Sequence, residues 1–262
     1  METEKSLDGK VAIVSGGSRG IGRAIAIRFA KAGADVVIGA RGAQTLAETV
    51  RNVAAFGGSA TAVECDLSTA AGTNSLINAA LARTGYVDIL VNNVGSAAVG
   101  SFLTLTDDEL LNAWTLKLLG AIRLIRGLIP VMSKKGGHIV NIIGAAGREP
   151  TSTGIAAATS NAALRVVNRG LARDLARAGI SINAISPASV ATDRRREMFE
   201  ARAGALGVSS EALKTEALAA IPTGREVQPE EVAELALVLV DGRIPSLTGA
   251  EIVLDGGASR SI

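Results

Sequence analysis

Two hydrophobic rhythms alternate along the 262-residue chain. Short runs rich in Val, Ile and Ala at 11–15, 35–40, 60–64, 89–92, 138–143, 181–185 and 252–255 read as strands. Between them the apolar spacing turns helical, near 20–32, 43–56, 72–84, 107–134, 154–178 and 229–241. The first six strand runs are continuously apolar rather than alternating, the pattern of a parallel sheet covered on both faces. This alternation predicts right-handed βαβ crossovers and an α/β fold, a single domain over 1–262 with one doubly wound Rossmann-type parallel sheet and helices on both faces. Residues 193–223 break the rhythm as a polar, charged, helical insertion. It follows the sixth strand's carboxyl end, where open α/β sheets bind ligands, so a lid-like segment is expected there, with a plain solvated excursion as the alternative.

Composition removes several functions. The chain has one His (His138), one Cys (Cys65), one Tyr (Tyr86), one Trp (Trp114) and four Phe. A lone Cys and a lone His exclude an internal disulfide and a Cys/His metal site, so no metal is expected. They confine hydrolase chemistry to arrangements built on His138. A net charge of +2 with few aromatics argues against nucleic acid as a partner. The opening Met1-Glu2-Thr3-Glu4-Lys5 is not the start of a signal peptide, and no apolar run approaches the roughly 20 residues that span a bilayer. A cytoplasmic protein without membrane contact is therefore expected.

The first chemical signal is Ser15-Gly16-Gly17-Ser18-Arg19-Gly20-Ile21-Gly22, which leaves the first strand and opens an Ala-rich helix. Glycines let backbone approach a diphosphate, and the N–H groups and positive dipole of a helix start favour its charge. The second strand ends at Ala40-Arg41. A carboxylate there usually meets the ribose of a cofactor without a 2′-phosphate. Small Ala40 followed by cationic Arg41, with Arg19 able to approach the same region, predicts NADP(H) in preference to NAD(H).

At this point the chain resembles the short-chain dehydrogenase/reductase family along essentially its whole length. The resemblance rests on the glycine loop, Cys65-Asp66-Leu67, Asn92-Asn93-Val94-Gly95, Gly136-Gly137-His138-Ile139-Val140-Asn141-Ile142 and Asn183-Ala184-Ile185-Ser186-Pro187-Ala188. Pro229-Glu230-Glu231-Val232-Ala233 and the stretch from Thr248 to Gly257 extend it. It implies that Asp66 and Leu67 contact the adenine, that Asn93 and Gly95 line the cofactor floor, and that Val190 and Thr192, just beyond Pro187, hold the nicotinamide carboxamide. Ser15 stands where the family usually has Thr and keeps the hydroxyl.

The resemblance also implies an Asn-Ser-Tyr-Lys tetrad, in which Tyr exchanges a proton with the substrate oxygen, Lys lowers the Tyr pKa and holds the ribose, and Ser positions the substrate. Here those four positions fall on Lys117, Gly144, Ala157 and Asn161. Asn161 remains a candidate cofactor contact. Lys and Asn are exchanged between the two helices, so Lys117 is the candidate that returns a positive charge, or an acid, to the pocket. Tyr86 lies before the fourth strand and reads as a surface or edge residue, and His138 begins the fifth and reads as a strand-start residue. Arg148 and Glu149 read as a solvated loop pair, and Arg194-Arg195-Arg196 as either a solvated helix face or a greeting for an anionic substrate.

Three functions follow. One is an NADP(H)-binding oxidoreductase for carbonyl/alcohol hydride transfer with an atypical site. The second is a non-catalytic cofactor-binding protein, or the silent subunit of a heteromer with an active paralogue. The third is a non-redox isomerase, lyase or cyclase on the same scaffold, using Lys117, Arg148 or Glu149. A small-molecule substrate or ligand is expected, and the helices at 107–134 and 154–178 resemble those that pair in the family's homotetramers and homodimers.

Overall fold

The computed structural model describes residues 5–95 and 100–260, with nothing said of the side chains of 205 and 206. The charged stretch 1–4 lies outside the described residues. Among them, seven parallel strands form one sheet in the order β3-β2-β1-β4-β5-β6-β7. These are β1 (Val11–Ser15), β2 (Asp35–Ala40), β3 (Ser59–Glu64), β4 (Ile89–Asn92), β5 (Gly137–Ile142), β6 (Ile180–Pro187) and β7 (Glu251–Leu254). The strand order reverses direction between β1 and β4, which opens a crevice at their carboxyl ends.

The helices are α1 (Gly20–Lys31), α2 (Ala43–Ala54), α3 (Ala70–Thr84), α4 (Asp107–Ala113), α5 (Gly120–Met132), α6 (Ile155–Arg177), α7 (Asp193–Leu206), α8 (Ser210–Ala219) and α9 (Pro229–Val240). Side chains of β1 show how both faces are filled. Ala12 and Val14 join a core with Phe29 of α1, Leu46 of α2 and Val232 of α9. Val11 and Ile13 point the other way, into a core with Leu76 of α3, Leu128 of α5 and Leu175 of α6. Each such side chain contributes roughly 1.5–3 kcal/mol by leaving water, so the two cores fix the sheet from both sides.

Three expectations change. The run at 60–64 is no buried strand: β3 is the sheet edge, and its residues alternate between exposed and half-buried. The helix expected over 107–134 is interrupted by a π-helical turn, Trp114–Leu119, between α4 and α5. Gly120 follows it, and a Cβ there would stand 2.7 Å from the Leu67 carbonyl oxygen, so the helix passes close under the β3 exit. Tyr86 is no surface residue: it is buried, and its hydroxyl donates to the Met132 carbonyl at 3.0 Å and to the Gly136 carbonyl. The chain's one phenol thus fastens the end of α5 to the foot of the sheet. The segment 193–223 does form two helices, α7 started by the Thr192 hydroxyl accepting from Arg195 N and α8 by Ser209 accepting from Ala212 N.

A chain of buried amides crosses the sheet. Asn92 Nδ2 donates to Asn141 Oδ1 at 2.9 Å, Asn141 Nδ2 to Asn168 Oδ1 at 3.1 Å, and Asn168 Nδ2 to the Ala250 carbonyl at 3.2 Å. It ties β4, β5, α6 and the approach to β7 together directly beneath the crevice.

Candidate active site

The crevice is built first from backbone. At the end of β1 the chain turns at Gly16, whose φ of +67° is left-handed and suits glycine. A Cβ on Gly22 would stand 2.2 Å from the Gly16 oxygen and 2.5 Å from Asn93 Nδ2, so only hydrogen fits. Ser15 is buried; its hydroxyl donates to the Val91 carbonyl at 3.1 Å and accepts from Asn93 N at 2.9 Å. Asn93 Nδ2 in turn donates to the carbonyls of Ser15 and Gly16, at 3.3 and 3.2 Å. The loop is thereby stapled to the end of β4. Arg19 precedes α1 without a side-chain cap, and no acidic residue stands in that helix's first turn. Its leading N–H groups and positive dipole end therefore meet the crevice uncompensated.

The crevice encloses a cleft of about 480 Å³. One end is walled by Gly16, Ser18, Arg19, Gly20 and Ile21, and its flank by Ala40, Arg41, Gly42 and Thr45. Leu67, Asn93 and Gly95 form the floor, and Thr192, Asp193 and Arg194 the far wall. A tight glycine cradle, an open helix start and a cleft of this size fit a dinucleotide. Ser15 and Gly22 act from beneath, as supports. Asp66 is exposed; hydrogen bonding from Ser68, and then the charge of Arg41, hold its carboxyl below the usual aspartate range. Arg41 lies exposed on the flank, whereas Arg19 is turned toward Glu197 of α7 at 3.4 Å. Pro187 and Val190 are buried behind the wall, Val190 bridged to Val227.

The other half of the crevice carries the four tetrad positions. Ala157 is half-buried on the first turns of α6 and brings no polar atom. Asn161 is buried and accepts from Gly144 N through Oδ1 at 3.1 Å. One hydrogen bond thus ties the start of the loop after β5 to α6. Nearby hydroxyls are tied down: Thr159 Oγ1 donates to the Ile155 carbonyl and accepts from Trp114 Nε1, and Ser160 Oγ donates to the Ala157 carbonyl.

Lys117 comes off the π-helical turn and donates from Nζ to the Ile142 carbonyl at 3.0 Å. It lies behind the cleft floor, where it lines a small cavity with Ser15, Asn92 and Leu116; a Cβ on Gly95, which does line the cleft, would stand 3.2 Å from that nitrogen. Burial, with the Arg194 guanidinium adding to it, pushes the Lys117 ammonium down to about 8. Arg194 crosses from the far wall and donates from Nη1 to the Gly95 carbonyl at 2.5 Å.

The remaining candidates lie elsewhere. Arg148 is no solvated loop residue: its side chain is 13% exposed and sits 3.4 Å from Glu251 Oε2, an oxygen that Arg165 Nε also holds at 2.5 Å. Its neighbour Glu149 accepts from Arg260 N, tying the loop after β5 to the chain's end. His138 Nδ1 meets Ser181 Oγ at 2.9 Å at the foot of the sheet, away from the crevice. Of the arginine triplet, Arg195 pairs with Glu226 and stacks on Phe199, and Arg196 pairs with Asp193, which leaves Arg194 for the cleft. Thr45 and Leu116 line the cleft without having been singled out in the sequence. Thr45 carried a faint signal, a hydroxyl in the helical turn just after Arg41. Among the described residues no group of His, Cys, Asp and Glu is arranged to hold a metal, and no helix is long and apolar enough to cross a membrane.

Residues 16–259 match the enoyl-(acyl carrier protein) reductase family. A 3-oxoacyl-(acyl-carrier-protein) reductase of Pseudomonas aeruginosa is 33% identical over 257 residues, covering 96% of this chain and 98% of its own. The L-sorbose reductase of Gluconobacter frateurii, solved with NADPH and L-sorbose, superposes with a TM-score of 0.93 at 28% identity over the full length of both chains. A 7α-hydroxysteroid dehydrogenase solved with NADH superposes with a TM-score of 0.88 at 29% identity, over 98% and 97% of the two chains. On the glycine cradle, the strand order and these likenesses together, the chain belongs to the short-chain dehydrogenase/reductase family of NAD(P)(H)-binding oxidoreductases.

Proposed function

We propose that this chain is an NADP(H)-dependent oxidoreductase of the carbonyl/alcohol pair that works without the hydroxyl acid of its family, with Lys117 as the proton-carrying group. The observation that carries the reading is the Lys117 ammonium packed directly behind Gly95, a residue of the cleft floor. A bound nicotinamide cofactor supplies hydride chemistry, and the chain must bind, orient and provide a proton. Glycine cradle, Asn93 and α1 do the binding. Lys117, anchored by the Ile142 carbonyl and titrating near 8, is protonated at neutral pH yet able to give its proton up. Arg41 on the ribose flank supports NADP(H) over NAD(H), and the NADPH-bound relative points the same way while the NADH-bound one shows that the scaffold accepts either.

A second reading, a cofactor-binding protein without turnover, draws on the mutual hydrogen bond of Gly144 and Asn161, which closes the old catalytic positions on themselves. A non-redox enzyme on this scaffold has less behind it, since Arg148 is committed to Glu251.

The deciding experiment is NADPH titration by fluorescence, followed by a reductase panel of 3-oxoacyl thioesters, keto sugars and oxosteroids. It is run on wild type, on K117M and on G144S/A157Y/N161K/K117N. We expect tight NADPH binding throughout, slow wild-type reduction that declines as pH rises through about 8, and a loss of about 10²–10⁴-fold in K117M. Turnover in K117M equal to wild type overturns the role of Lys117. Turnover in the four-site variant alone establishes the second reading.

A further inference from the structure

Two cations converge on one glycine. Arg194 Nη1 donates to the Gly95 carbonyl at 2.5 Å, and Lys117 Nζ stands 3.2 Å from where a Gly95 Cβ would be. Both are partly withdrawn from water. Neither forms an ion pair among the described residues; the carboxylate that Arg194 feels, Glu197, is bonded to Arg19 at 3.4 Å. Their known partners are backbone carbonyls, Gly95 for one and Ile142 for the other. Each lacks a charged partner, and each retains N–H groups for which the described residues provide none. Two like charges held together away from water are costly unless an anion completes them. The sites beside them behave differently, since Arg195 has Glu226 and Arg196 has Asp193 within 2.9 Å.

We propose that Arg194 and Lys117 form an anion-binding subsite at Gly95, at the inner end of the cleft, which takes one carboxylate- or phosphate-class group. The guanidinium offers a planar fork matched to two oxygens, and the ammonium adds its positive charge from behind Gly95. Taking up the anion requires Arg194 to exchange the Gly95 carbonyl for the incoming oxygens. The group comes either from the cofactor's diphosphate or from an acidic substrate lying next to it. The subsite extends the oxidoreductase reading but does not need turnover, because a chain that binds cofactor and never transfers hydride still carries it.

The test is calorimetric titration of NADP⁺, of oxalate, and of oxalate into NADP⁺-saturated protein, on wild type, R194M, K117M and R196M. R196M removes the same formal charge from the outer face of α7. If the anion is the substrate's, oxalate binds the NADP⁺-saturated protein and weakens about tenfold or more in R194M and K117M, with NADP⁺ affinity unchanged. If it is the cofactor's, NADP⁺ itself weakens by that factor in both variants, and oxalate does not bind the saturated protein. Either result supports the subsite, and R196M stays within about twofold of wild type. Binding of both ligands to R194M and K117M within twofold of wild type overturns it, as does an equal loss in R196M. Should NADP⁺ fail to bind even wild type, the oxidoreductase reading falls, while an oxalate loss confined to R194M and K117M still establishes the subsite.

Discussion

The two halves of the crevice are built by different means. The β1–α1 half is held by backbone and by small polar groups that satisfy one another: Ser15 between Val91 and Asn93, Asn93 onto Ser15 and Gly16, Gly22 pressed against the Gly16 carbonyl. Its charges belong to helix ends and to Arg41. The β5–α6 half brings no side-chain hydroxyl at Gly144, Ala157 or Asn161. There Gly144 N donates to Asn161 Oδ1, and beside it stand Lys117 and Arg194, which form no ion pair among the described residues. A binding surface made of backbone tolerates no side chain, whereas a reactive surface made of side chains can be rewritten without touching the fold. This asymmetry lets the cofactor half and the sheet keep one geometry whatever side chains stand beside them.

The sharpest way to break the comparison is to put a methyl group in the backbone-built half. In Gly22→Ala the new Cβ meets the Gly16 oxygen at 2.2 Å and Asn93 Nδ2 at 2.5 Å. Neither can retreat without disturbing the Ser15–Asn93 staple. We expect about 2–3 kcal/mol of destabilisation in a thermal or urea melt and a loss of NADPH affinity on the order of 100-fold by fluorescence titration. Near-normal NADPH affinity would show that the cradle is adaptable and that the two halves differ less than their geometry indicates.

A smaller effect is expected on the flank. Arg41 is exposed and has no ion-pair partner among the described residues, so its removal costs the fold little. Arg41→Ala should weaken NADPH by about tenfold while leaving NADH within about twofold, since only a 2′-phosphate offers it a charged partner. Equal losses for the two cofactors would move the preference elsewhere on the wall. Arg19, already engaged by Glu197, is the weaker contributor.

Strand positions were legible because β-branched runs at β1, β2 and β4 leave little alternative to a buried strand, and the glycine spacing after β1 could be placed to the residue. Other features depend on partners that no local pattern reveals. Tyr86 reads as an edge residue until Met132 and Gly136, 46 and 50 positions away, close over its hydroxyl. The π-helical turn hides inside an apolar spacing that an unbroken helix would share. Arg194, Arg195 and Arg196 are chemically identical neighbours, sorted only by the roughly 100° rotation per residue once Thr192 fixes where α7 begins. The bond from Gly144 N to Asn161 Oδ1 joins residues 17 positions apart, on the loop after β5 and on α6, and no local pattern announces it.

The mildest test asks whether the charge at Lys117 is tolerated at a cost, as a built reactive group would be, or is neutral to the fold. In the folded chain Lys117 titrates near 8, against an ordinary lysine value of 10.5. Below 8 both folded and unfolded chains hold the proton, so the folded state bears the full penalty of a desolvated ammonium facing Arg194. Between 8 and 10.5 the unfolded chain binds more protons than the folded one, and wild-type stability rises with pH across that window. Lys117→Met removes the penalty and loses one hydrogen bond to Ile142, which offsets about 1 kcal/mol of the gain. We therefore expect K117M to be more stable than wild type at pH 7 by about 2 kcal/mol, a shift of several degrees in melting temperature. The gap should narrow steadily toward pH 10. A K117M variant that is less stable at pH 7, or a gap that does not change with pH, would mean that the ammonium is already compensated, and the contrast between a satisfied binding half and an unsatisfied reactive half would then fail at its central residue.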